Sequence, residues 1–167
     1  MVFIFYEFIR FHMKDFNEAK FLSDSMLGRL SKWLRIMGYD THYQSFYTKG
    51  MISRLVDDGR ILLSRHKPTV HQYPNSLLIR SDHVKEQLHE MKNEGHLILG
   101  RSYRFRRCLT CNVPLENAEA EDARENVPEY VFHKNINGIR FCRSCNRYFW
   151  QGNHRKNMIR QLEKWGF

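Results

Sequence analysis

Short apolar runs alternate along the first hundred residues with stretches in which apolar side chains return every three or four positions. Lys20–Ser23 reads as a buried strand ending at Asp24, followed by Met26, Leu30, Trp33, Leu34 and Met37 at helical spacing, with Arg29, Lys32 and Arg35 facing elsewhere. Ser25 suits the start of this helix as a cap, and Gly38 suits its end in a left-handed conformation. Residues 39–43 form a second strand, Met51, Ile52, Leu55 and Val56 a second helix stopped by Gly59, and residues 60–64 (RILLS) a third strand. A loop with Pro68 and Pro74 leads to a fourth strand at 76–80, and Val84, Leu88 and Met91 stripe a helix over 83–94. Strands alternating with helices predict an α/β fold with a parallel sheet joined by right-handed crossovers.

After Gly100 the pattern changes. Tyr103 and Phe105 alternate with Arg104 and Arg106, as in a strand with one apolar and one basic face. Residues 116–129 are acidic and read as an exposed excursion. The chain closes with a helix capped by Asn153 and striped by Met158, Ile159, Leu162 and Trp165. No internal repeat or low-complexity tract interrupts this order.

The 167 residues carry 27 Lys and Arg against 18 Asp and Glu, a formal charge of +9. The excess is uneven: residues 1–100 hold 14 basic and 11 acidic side chains, residues 101–167 hold 13 and 7. That skew favours a polyanionic partner, nucleic acid ahead of a membrane surface. The apolar run at residues 1–11 is interrupted by Glu7 and Arg10, too short for a membrane span and without the features of an export signal. The expected compartment is therefore intracellular and reducing, cytoplasmic or nuclear. All four cysteines lie beyond residue 107, so the first part folds on apolar burial while the last can use a metal. The expected organisation is an N-terminal extension (1–16), an α/β domain (17–100), and a small zinc ribbon with a terminal helix (101–167).

Cys108 and Cys111 in CLTC and Cys142 and Cys145 in CRSC form two Cys-x-x-Cys pairs with thirty residues between them. Such pairs suit two knuckles facing one tetrahedral zinc ion. Four thiolates close the coordination sphere, so this zinc, one per chain, is expected to be structural. Asn112 and Asn146 follow the pairs at matched positions, where a knuckle turn asks for positive φ that asparagine tolerates.

In a parallel sheet, groups at the carboxyl ends of strands converge on one crevice. Asp24 follows the first strand, His66 the third and Asp82 the fourth. Carboxylates clustered there without a cationic partner can hold Mg²⁺ or Mn²⁺, which activates water and offsets phosphodiester charge. Asp24 and Asp82 equally suit the N-termini of the helices behind them. Asp40, at the start of a strand, belongs to the opposite edge and reads as structural, while Asp57 and Asp58 read as solvated.

Several separated blocks carry a family resemblance: KFLSDSMLGRLSKWLRIMGYD, GRILLSR, LLIRSD, RCLTC and FCRSCNRYFWQGNH, in that order over residues 19–155. Together they resemble the Mut-seven C-terminal ribonuclease domain, which implies a PIN-like nuclease fold with a zinc ribbon, metal-dependent RNA cleavage, and Asp24 and Asp82 among the catalytic acids. The family's motif after the third strand is Thr-Arg-Asp, whereas this chain has Ser64, Arg65 and His66. Histidine can ligate Mn²⁺ but brings no negative charge, so Mg²⁺ affinity is expected to fall. The alternative function is an RNA-binding module with weakened or lost catalysis, and a third is a ribbon used for protein contacts, which the positive charge disfavours.

RNA, expected to be single-stranded, has candidate contacts in Arg101, Tyr103, Arg104, Phe105, Arg106 and Arg107, where arginines grip phosphate and aromatic faces stack on unpaired bases. The same alternation also suits a solvated strand with its aromatics in the core. Arg155, Lys156, Arg160 and Lys164 extend the basic character into the last helix, and Arg29, Lys32 and Arg35 lie close in sequence to Asp24. His154 matches the family's tail motif and has no role assigned by its chemistry.

Overall fold

A computed structural model describes residues 19–98 and 100–167, so the expectation for residues 1–16 lies outside the described residues. The chain forms two compact units, one ending at Asn112 and the other spanning Val113–Phe167. Its class is α/β: a parallel four-stranded sheet flanked by helices, a cysteine cluster and a terminal helix. No helix among the described residues is long and apolar enough to cross a membrane.

The first unit runs β1 (Lys20–Ser23), a 3₁₀ turn (Ser25–Leu27), α1 (Gly28–Met37), β2 (Asp40–Tyr43), α2 (Lys49–Asp57), β3 (Ile61–Ser64), α3 (Lys67–Gln72), β4 (Ser76–Leu78) and α4 (Val84–Asn93). The strands lie in the order β2-β1-β3-β4, all parallel, with Ser23 opposite Tyr43 and Leu22 opposite Leu62. The two inner strands are covered on both faces, which is why they read as apolar runs. Leu22 and Leu62 cluster with Tyr73 against Tyr47, Ile52, Leu55 and Val56. Phe21, on the other side by strand alternation, meets the ring of Tyr39 at 5.5 Å. Leu30 and Leu34 of α1 and Leu88 and Met91 of α4 are fully buried, and truncating one such leucine to alanine removes about 2–5 kcal/mol.

Several sequence expectations are corrected. The helix after β1 is capped by Asp24, whose side chain accepts from Met26 N, and not by Ser25. Met26, expected on the apolar stripe, is 66% exposed in the 3₁₀ turn, and Arg35, expected to face away from the core, is 6% exposed. The Pro68 loop contains α3, because proline in the first turn gives up no helical bond and its fixed φ suits the start. The alternating stretch after Gly100 is no strand: Arg101–Tyr103 is a 3₁₀ turn and Phe105 has φ 59°. Tertiary contacts override the alternation there. Phe105 N donates to Ile36 O at the end of α1 (2.8 Å), and the Tyr103 backbone lies so close to Gly38 that a Cβ there would clash with Tyr103 O.

The second unit contains β5 (Glu116–Asn117), α5 (Ala120–Asn126), α6 (Glu129–Asn135), β6 (Arg140–Cys142), β7 (Arg147–Phe149) and α7 (Asn153–Lys164). β5, β6 and β7 form an antiparallel sheet. The acidic stretch is therefore a folded element and not an open excursion. Ala123, Val127 and Val131 recur every fourth residue across Pro128 and bury with Ile139. The last helix begins at Asn153 itself, with Gly152 at the cap position.

Candidate functional site

From β1 the chain passes first to β2 on one side and later to β3 on the other, so the connections diverge between the carboxyl ends of β1 and β3. Ligands of open parallel sheets bind at such a divergence. Asp24 stands there, its own N–H bonded to Leu63 O at 2.9 Å. Its Oδ2 accepts from Ser64 Oγ (2.6 Å) and Arg65 N (3.1 Å), and its Oδ1 from Met26 N (2.9 Å). Three donors fix the carboxylate in orientation, while its remaining lone pairs can still take a ligand.

The Ser64 hydroxyl also accepts from His66 N at 3.0 Å, tying the three residues after β3 into one turn. His66 is exposed, with Nδ1 2.8 Å from Thr69 Oγ1. A ring nitrogen fixed in this way leaves Nε2 as the one offered to a ligand. Asp82 has a cationic partner, contrary to the expectation of unopposed carboxylates: it forms an ion pair with the Arg65 guanidinium. Its loop is anchored from α4, where Glu90 accepts from Arg80 N (2.8 Å) and Ser81 N (2.9 Å), and Gln87 Nε2 donates to Ser81 O (2.9 Å). Arg65 is thus the link between the two acids, bonding Asp24 by its backbone and Asp82 by its side chain. The Nε of Arg65 and the Oγ of Ser23 are buried without a hydrogen-bond partner among the described residues. Sequence reasoning missed Arg65, Ser64 and Glu90; only the spacing of His66 and Thr69 across a helix start was a local signal.

Among the described residues, the groups that do gather around one point are the four cysteines. Their sulfurs lie within 4.8 Å of one another, with Cys108 and Cys142 buried and Cys111 and Cys145 half-buried. A tetrahedral zinc with bonds of about 2.3 Å holds its sulfurs about 3.8 Å apart, so the cluster can hold a metal such as zinc. Both expected asparagines adopt positive φ, 66° at Asn112 and 55° at Asn146. Asn112 N reaches Cys108 O at 2.9 Å and Asn146 N reaches Cys142 O at 2.8 Å, so the two knuckles are copies of one turn.

The first knuckle is held by the amino edge of the sheet. Buried Arg35 donates to Thr41 O from Nε (3.0 Å) and from its second terminal nitrogen (2.9 Å), and to Leu109 O and Thr110 O from the other (2.9 Å each). Burial lowers its pKa, opposed by the nearby Cys108 thiol and then by Tyr47, Cys111 and Asp40. Asn112 joins Asp40 Oδ1 at 2.7 Å and accepts Thr41 N at 2.9 Å. Asp40 lies at the edge opposite Asp24, as expected, and also pairs with Arg60 (2.7 Å) and Arg107 (3.7 Å).

Comparison with known sequence families matches residues 19–162 to the Mut7-C RNAse domain. The chain belongs to this family. No curated protein and no solved structure was found to match it. Membership of the Mut7-C RNAse domain family implies a nuclease-like function and an RNA substrate.

Within this Mut7-C domain the candidate RNA contacts fall into two groups. Arg29, Lys32, Arg101, Arg106 and the aromatic Tyr103 are exposed in the first unit, and Lys156 is exposed on α7. The guanidinium of Arg106 lies over the Tyr103 ring at 4.9 Å. Arg104 is half-buried, Arg35 is committed to carbonyls, and Arg107 is drawn inward to Asp40 and to Asn112 O (2.7 Å).

Proposed function

We propose that this chain is a ribonuclease that hydrolyses phosphodiesters of single-stranded RNA at the crevice beside Asp24, in a reducing intracellular compartment, with one structural zinc bound by its four cysteines. The observation that carries the reading is the Asp24 carboxylate, fixed by three donors where the connections of the parallel sheet diverge, in a chain of a ribonuclease family. Asp24, His66 and Asp82 would hold a divalent ion there, Mn²⁺ in preference to Mg²⁺, and that ion supplies activated water and charge stabilisation. Support for this comes from the three donors that orient Asp24 and from the Thr69 contact that leaves the Nε2 of His66 to a ligand; Asp82 would join on release from Arg65. Arg29, Lys32, Arg101, Tyr103, Arg106 and Lys156 are the surface residues proposed to grip the RNA. The thiolate pairs suit a compartment that keeps cysteines reduced.

A second reading, an RNA-binding module with little catalysis, is favoured by the Arg65–Asp82 pair and by histidine at position 66, where the family's motif has a carboxylate. Cleavage of labelled single-stranded RNA in Mg²⁺, in Mn²⁺ and with neither ion added separates the two. Weak activity is expected in Mn²⁺, less in Mg²⁺ and none with neither. Asp24→Asn should reduce it at least a hundredfold, beyond the roughly 1–3 kcal/mol of stability lost because its amide nitrogen must face a donor that the carboxylate now accepts, and His66→Asp should raise activity in Mg²⁺. RNA left intact by the wild type and by His66→Asp in both metals, with tight binding retained, would establish the binding module instead.

A further inference from the structure

At the carboxyl edge, beside the anchored carboxylate, two apolar side chains stand in solvent. Phe46 is 75% exposed and Met26 is 66% exposed, the largest values among the large apolar residues described in the first unit. Both belong to turns that leave adjacent strands, since Ser23 and Tyr43 end β1 and β2 in register. The two turns are joined: Tyr43 Oη donates to Ser25 O at 3.2 Å, and the Tyr43 ring lies against Gly28 so closely that a Cβ there would sit 2.7 Å from its Cζ.

Phe46 stands on a pinned turn. Gln44 N donates to Tyr47 Oη at 2.6 Å, His42 Nδ1 lies 3.2 Å from the same oxygen, and the Tyr47 ring packs on the cluster of Leu22, Leu62 and Tyr73. Thr48 then caps α2 by accepting from Met51 N at 3.3 Å. Burial pushes the pKa of the Tyr47 phenol up to about 12. An aromatic ring held outward between two anchored neighbours is presented at little further loss of conformational freedom. Arg29 and Lys32 lie exposed on the helix that follows Asp24. Aromatic faces interleaved with cations are what binds single-stranded nucleic acid, because any base can stack while the cations follow the phosphates.

We propose that Phe46, with Met26 on the neighbouring turn, seats an unpaired nucleobase next to the phosphodiester at Asp24, so that this edge selects single-stranded over duplex RNA. The proposal rests on the reading of Asp24 given above. A paired base is stacked inside its duplex and has no face to offer Phe46, whereas an unpaired base does.

The test is binding of fluorescently labelled oligouridine and of a blunt RNA duplex to the full chain, with its zinc retained and no other divalent ion added, read by anisotropy. Phe46→Ala is expected to weaken oligouridine binding roughly tenfold and leave duplex binding within about twofold. Phe46→Trp is expected to restore binding and to show indole quenching by RNA beyond that of the wild type. Equal affinity of wild type and Phe46→Ala for oligouridine, equal losses on both RNAs, or a Phe46→Trp indole blind to RNA would each overturn the platform. Cleavage is read separately in Mn²⁺. A chain that cuts nothing while keeping its Phe46-dependent preference loses the nuclease reading and retains the base seat; one that cuts RNA without Phe46 dependence does the reverse.

Discussion

Asp40 repays attention because one carboxylate joins a strand of the sheet to the first knuckle. Burial alone would raise its pKa, but hydrogen bonds from Arg60 and Asn112 and the charges of Arg60 and Arg107 bring it below the ordinary carboxylate value. A folded-state pKa below the unfolded one, about 3.9, contributes stability above that pH and loses it as pH falls through the folded value. Thermal melting measured between about pH 7 and pH 2.5 should show this loss. Asp40→Asn should lower stability by about 1–3 kcal/mol near neutrality and flatten the acid limb. The role of Asp40 was half legible from its place at a strand start. Its partners were not, because Arg60 and Asn112 stand 20 and 72 residues away and nothing local announces them.

Gly38 shows how an element ends for two reasons at once. Its φ of 104° closes α1 in the left-handed region, with its N–H bonded to Arg35 O at 3.1 Å, and the backbone of Tyr103 occupies the space a side chain would need. Gly38→Ala is expected to destabilise the fold by roughly 2 kcal/mol or more, since backbone strain and displacement of Tyr103 add. Denaturant unfolding checks this, and a midpoint equal to the wild type would show that the 101–105 segment moves aside without loss. The first reason was legible as a glycine after a helical stripe. The second was not, and it is part of why the basic stretch after Gly100 takes a 3₁₀ turn where alternation suggested a strand. The first four strands and the knuckle asparagines were legible because each obeys a local rule of burial or dihedral preference. The Ser64 and Arg65 donors on Asp24 and the Arg65–Asp82 pair were hidden because they join the ends of different strands.

For the molecule as a whole, the balance between apolar burial and metal differs along the chain. The sheet unit has many fully buried side chains, whereas among the described residues of the second unit a small cluster of Ala123, Val127, Val131 and Ile139 is buried, along with Leu162 and Phe167. Small cores generally need a metal or a cross-link. Freshly purified protein should carry one zinc per chain by elemental analysis. Chelation should remove amide protection from residues 113–167 before the parallel sheet, as hydrogen exchange would report. Within the first knuckle, the amides of residues 108–112 should lose protection later, because the bonds from Arg35 and Asp40 do not depend on the ion. Uniform loss of protection across the chain would instead mean one cooperative unit.

The strand order has a consequence for how the polypeptide is made. β1 is the first described strand to be synthesised, yet it lies between β2 and β3, whose paired residues follow it by 20 and 40 positions. Until both have left the ribosome, Phe21 and Leu22 belong to a strand with an open side, the kind of transient edge that invites wrong partners. One edge of β1 therefore stays open to wrong pairing until Ser64, at the end of β3, has emerged from the ribosome.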